Sequence, residues 1–212
     1  MSGFELRPFG RWATASVAVI AMAVSLVAGW WRHDEIFFYS LGDARLATLV
    51  RLFLWSGQDP NGVFEGHTPL THMAFKSPAY GAEINLLRVL EAGADPNLAD
   101  AHGRLPLVEL AGWGAWDRVA RLLAHGAEPN LVERGGRSVA AELFTLTSPE
   151  RVEANLKLLL EHGLDPCFVL DGRVVGQSSA AALSLADWLA SRERADLGGE
   201  VAALCAHGRG GS

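Results

Sequence analysis

One phrase recurs four times in the chain: WSGQDPN at 55–61, EAGADPN at 91–97, AHGAEPN at 124–130 and EHGLDPC at 161–167. Its last positions, Asn61, Asn97, Asn130 and Cys167, lie 36, 33 and 37 residues apart. A regular step of this size is the signature of a repeat architecture, in which no unit buries its apolar face alone and stacking completes the core. Each phrase follows a leucine-rich run. Leu86, Val89 and Leu90 share one helical face, as do Val119, Leu122 and Leu123, and Leu156, Leu159 and Leu160. Gly93, Gly126 and Gly163 then end these helices, where glycine enters the left-handed region at little cost. Asp-Pro-Asn reads as turn chemistry: Pro fixes φ and Asn tolerates the left-handed conformation.

The amino end is of different material. Residues 12–31, WATASVAVIAMAVSLVAGWW, carry no charge. A helix of about 20 residues spans about 30 Å, the thickness of a bilayer's hydrocarbon core. Trp12, Trp30 and Trp31 border the run, where indoles favour the membrane interface. Residues 1–11 are then a short cytoplasmic tail with Arg7 and Arg11, and the remainder lies outside. Two other readings stay open: a signal peptide cut near Val27-Ala28-Gly29, and a buried core helix.

The clearest unit runs from Gly66-His67-Thr68-Pro69-Leu70 to Asn97. Thr68 caps a helix, Pro69 occupies its first turn without wasting an N–H, and Leu70 enters the core. The next unit keeps Pro106 and Leu107 but has Leu105 in place of Thr. The unit after it blurs its first helix as Ser138-Val139-Ala140. The chain resembles an ankyrin-repeat protein on these residues, with Thr71 where that family usually has His and His72 one position later. The resemblance covers about 36–208 and is strongest over 66–167.

It implies an all-α fold, a solenoid of about four to five helix-turn-helix repeats preceded by one transmembrane helix. The units fall at about 36–61, 62–97, 98–130 and 131–167, with a degenerate cap at 168–208. The first is a half unit or cap beginning at Gly42-Asp43; the last has helices near 180–192 and 199–206. Extra length at 75–81 and 145–153 is expected as loops between helices.

Chemistry is harder to find. The chain has no phosphate loop, no H-E-x-x-H, no G-x-S-x-G and no paired-cysteine metal spacing. The expectation is a protein that is not an enzyme, with no metal, no cofactor and no small-molecule substrate. His125 and His162 precede helix-ending glycines and suit the orphan carbonyls there. His67 and His72 are read as not sharing a face. Cys167 and Cys205 could be bridged outside the cytoplasm, although an isolated Cys is ordinarily a small buried hydrophobe. Trp116 reads as core. Trp113, in the connection before it, is an interface anchor if exposed.

The formal net charge is −6, without any basic block, which argues against nucleic acid as a partner. A partner protein with a basic patch fits better. In ankyrin proteins the tips beyond each phrase commonly bind partners. The resemblance thus selects Phe64, Glu65, His67, Asp100, His102, Glu133, Arg134 and Arg137, to which Trp113 is added.

A short, acidic, exported ankyrin protein resembles bacterial immunity proteins that neutralise a secreted toxin. The alternative is an accessory or scaffold subunit of a membrane or periplasmic enzyme or stress-response complex. The chain is expected in the inner membrane as a single-pass protein with a periplasmic domain, or free in the periplasm after signal cleavage. Cations that are nearly all Arg, with Lys only at Lys76 and Lys157, go with a bacterial source.

Overall fold

Apolar stripes at helical spacing close into a fold that is mostly helical. The computed structural model describes residues 33–76, 82–146, 149–171, 182–191 and 195–209. In chain order these form α1 (His33–Leu41), a 3-10 turn (Ala44–Leu46), α2 (Ala47–Trp55), α3 (Pro69–Lys76), α4 (Ala82–Glu91), α5 (Pro106–Gly112), α6 (Trp116–Ala124), α7 (Val139–Leu146) and α8 (Pro149–Glu161). Strands β1 (Val169–Asp171) and β2 (Ala182–Ser184) follow, then α9 (Leu185–Ser191) and α10 (Ala195–Arg209). Among the described residues no helix is long and apolar enough to cross a membrane. The expected tail at 1–11 and anchor at 12–31 lie outside them.

Helices α1, α3, α5 and α7 pack side by side in one row, and each packs on the helix that follows it. Between them runs a continuous core that includes Phe37, Leu70, Leu86, Leu90, Leu110, Leu122, Leu123, Leu143 and Leu159. Helix α6 shows how the pattern generates this. Trp116, Val119, Leu122 and Leu123 are buried, while Asp117 and Ala124 face out.

The starts of the first helices use three devices. Thr68 and Thr71 cap reciprocally: Thr68 N–H donates to Thr71 Oγ1 (2.9 Å) and Thr71 N–H to Thr68 Oγ1 (3.3 Å). Ser138 Oγ accepts from Ala141 N–H in α7. Leu105 offers no side-chain cap, and its own N–H is met by Glu133 of the following unit (2.8 Å).

The repeated phrase has a second function beyond turning the chain. Gly57, Gly93, Gly126 and Gly163 have φ between 89° and 97°, as expected of helix-ending glycines. Among the described non-glycine residues, however, only Glu65 has positive φ. The asparagines are therefore not left-handed; they are bridges. Asn97 donates to the Gly126 carbonyl (3.0 Å) and accepts from Glu128 N–H (2.8 Å). Asn61 makes the same pair with Gly93 and Asp95, and Asn130 with Gly163 and Asp165. Each unit's phrase thus satisfies the backbone of the next.

Cys167 occupies the fourth asparagine position, and there the ladder ends. It is disulfide-bonded to Cys205 of α10, with Cα atoms 5.1 Å apart. The expectation of an isolated, unbridged thiol is corrected: a covalent link takes over where the last phrase has no further phrase to bridge.

Other expectations shift too. The first unit is a full helix pair beginning at His33, because Phe37, Phe38 and Leu41 bury α1 against the core. The extra length at 145–153 mostly lengthens helices, with α8 starting at Pro149. Of 75–81, Phe75 and Lys76 close α3, and 77–81 lie outside the described residues. The final unit is not purely helical. β1 and β2 pair antiparallel with Leu170 opposite Leu183, and Leu185 N–H donates to the Phe168 carbonyl (2.9 Å). Val169 and Leu170 favour an extended chain once the turn at Cys167 has ended.

Candidate functional site

The tips between phrase and helix follow one register. An acid stands three residues before the tip glycine and an arginine one residue after it: Asp100 and Arg104 around Gly103, Glu133 and Arg137 around Gly136. In the earlier tip the arginine position is His67. Three residues into each first helix stand His72, Glu109 and Glu142. The stacking brings these positions together across units.

Arg137 lies at the centre of the larger cluster. Its guanidinium meets Glu109 (2.7 Å), Glu142 (2.8 Å) and Glu133 (3.3 Å). All three carboxylates are largely buried. Burial works against the Arg137 charge, but the hydrogen bonds to Glu142 and Glu109 outweigh it and raise its pKa. Burial also pushes the Glu133 carboxyl above its ordinary value, against the opposing pull of Leu105 N–H and Arg137. Arg137 thus pairs with three acids at once. Gly112 permits the approach, since a Cβ there would stand 2.9 Å from Arg137 Nη2.

The second cluster is aromatic and polar. Asp100 accepts from the N–H groups of His102 (2.9 Å) and Arg104 (3.0 Å) and pairs with the Arg104 guanidinium (2.8 Å). Burial opposes its ionisation, but those donors prevail and hold the carboxyl below its usual range. Arg104 also reaches His67 Nδ1 (3.0 Å) and lies 4.9 Å over the Phe75 ring. Because Arg can only donate, that bond requires His67 Nδ1 to accept. His67 stacks on Phe75 (5.8 Å) and stands 5.8 Å from His102 and 6.1 Å from His72. His67 and His72, read as not sharing a helical face, nevertheless bring their rings close together. His67 precedes α3, so helical spacing does not apply to it, and its ring folds back over the first turn.

The sequence-selected residues accordingly divide. Asp100 and Glu133, selected as partner-binding tip residues, are buried acids that bond to the surrounding backbone. Arg137 and His67 are half-buried partners of these clusters, and Phe64 is half-buried, bridged to His67 by paired backbone bonds of 3.0 Å. Glu65, His102 and Arg134 are exposed. Trp116 is core, while Trp113 is 52% exposed. It caps the carboxyl end of α5 directly after Gly112, at the border of the Arg137 cluster. Arg104, Phe75, Glu109 and Glu142 were missed; aligning the three units on their tip glycines would have found the last two. Away from this row, Glu83, Asp117, Ala120, Arg121 and Ala124 line an open depression between α4 and α6.

His125, His162 and His207 each place Nδ1 against the carbonyl four residues earlier, at 2.8, 2.9 and 2.6 Å. Among the described residues no group of His, Cys, Asp and Glu is arranged to hold a metal ion. No protein-family model and no curated protein matches this chain.

Proposed function

We propose that this chain is an ankyrin-type repeat protein, tethered by residues 12–31, that binds another protein and is not an enzyme. The observation that carries the reading is Trp113. A large aromatic, 52% exposed, directly follows Gly112, which lies against the cluster in which Arg137 pairs with three carboxylates. An exposed indole offers an anchor for affinity, and the chain's formal net charge of −6 suits a basic partner. The Cys167–Cys205 disulfide supports an oxidising compartment, which fits a periplasmic domain with an inner-membrane anchor. An acidic, exported binding module of this kind fits neutralisation of a secreted toxin.

The test is isolation of the partner from detergent-solubilised membranes, followed by binding kinetics. Trp113→Ala is expected to raise the dissociation rate about tenfold or more, a loss of at least about 1.4 kcal/mol. Added salt is expected to slow association and leave dissociation nearly unchanged. A partner bound equally well by Trp113→Ala, with rates indifferent to salt, contradicts the proposal.

A further inference from the structure

We infer that Trp55 is a second membrane contact, its indole lying in the lipid headgroup layer beside the point where the chain leaves the bilayer. This rests on the anchoring by residues 12–31 proposed above.

Helices α1 and α2 run antiparallel, so the end of α2 returns to the start of α1. The His33 ring is 5.0 Å from Phe53, and Gln58 Nε2 donates to Asp34 Oδ1 (2.9 Å). Only Arg32 separates His33 from the uncharged run that ends at Trp31. Two residues span at most about 7 Å, and a headgroup layer is roughly 5–8 Å thick. The carboxyl end of α2 is therefore held at the height of that layer.

The residue placed there is out of pattern. Aligned on the phrase, position 55 corresponds to Glu91, Ala124 and Glu161, and all four positions face outward. The units farther from the entry point carry Glu or Ala; the unit at the entry point carries Trp, 82% exposed. An indole with an apolar body and one N–H donor gains most at an interface that is apolar on one side and wet on the other. Trp30 and Trp31 stand at the same boundary in the sequence. Asp34 and Glu35, at the start of α1, disfavour an anionic surface, so the lipid inferred is zwitterionic.

The full chain would be reconstituted in phosphatidylcholine vesicles without reductant, which keeps the disulfide closed. Trp55→Cys, Glu91→Cys and Glu161→Cys would each carry an environment-sensitive fluorophore, with a nitroxide on the lipid headgroups as quencher. The expected result is quenching at position 55 several-fold stronger than at 161, with 91 intermediate or weak. Equal, weak quenching at 55 and 161 in vesicles that float with the protein overturns the inference. So does a blue-shifted probe at 55 that lipid cannot quench, which means a protein contact instead. Failure of the protein to float with the vesicles removes the anchor itself, and this contact with it.

Discussion

The backbone N–H of Leu105 donates across 2.8 Å to the carboxylate of Glu133, so the tip of one unit holds the helix start of the unit before it. Asp100, in the equivalent tip, works locally on His102 and Arg104. Their ionisations are pushed in opposite directions, Glu133 up and Asp100 down.

The signs give a pH prediction. Asp100 has a depressed folded pKa, so it stabilises above its unfolded value near 3.8, and that contribution is lost as pH falls through the lower folded value. Glu133 has a raised folded pKa, so its contribution is present below about 4.5 and is lost as pH rises through the folded value. At neutral pH Asp100→Asn is expected to cost about 1–3 kcal/mol, and Glu133→Gln less, because the fold favours the charge of Asp100 and opposes that of Glu133, while both amides keep an acceptor. Urea denaturation of both variants checks the order. A costlier Glu133→Gln would reverse the assignment.

Asn97→Ala removes the bonds to Gly126 and Glu128 together. Each is worth about 0.5–1 kcal/mol at this exposed position, so a loss of roughly 1–2 kcal/mol is expected. Asn97→Asp keeps the acceptor and is expected to lose about half as much. Unchanged denaturation midpoints in both variants would reduce the ladder to geometry without energetic weight.

Opening the Cys167–Cys205 link frees a loop of 38 residues and is expected to cost about 3–4 kcal/mol. Repeat stacks lose stability locally, so hydrogen exchange should accelerate in α10 while α3 to α6 stay protected. Uniform acceleration along the chain would show instead that the stack unfolds as one unit.

Leu90 and Leu123 are core residues of neighbouring units. Each substitution to Ala is expected to cost about 2–5 kcal/mol, read from thermal or urea unfolding, since a thin stack has little other core. Melting at the wild-type temperature in both variants would mean that the packing does not depend on these faces.

Helix faces and glycine ends were legible in the sequence because both obey local rules: period 3.6, and a left-handed backbone after the last turn. Asn97 was legible as a turn residue but not as a bridge, because its partners lie in another unit, 29 and 31 residues away. Glu133, selected as a binding tip, was not legible as a buried acceptor for the same reason, since Leu105 lies 28 residues away. An acid in a polar tip looks solvated until packing sets Leu105 N–H against Glu133, or the tip folds Arg104 back onto Asp100. The strands at 169–171 and 182–184 were hidden by a short pattern that gives no period. Trp116 was legible as core, while only the fold decides whether Trp113 is exposed, as it is at 52%.

Site-specific photo-cross-linking in intact cells tests the binding surface most directly. A photoreactive amino acid would replace Trp113 in one version of the full chain and Asp117, on the outward face of α6, in another. The account predicts a discrete protein adduct from position 113 and none from position 117. An adduct from position 117 with none from 113 would contradict it and move the partner to the outer helices.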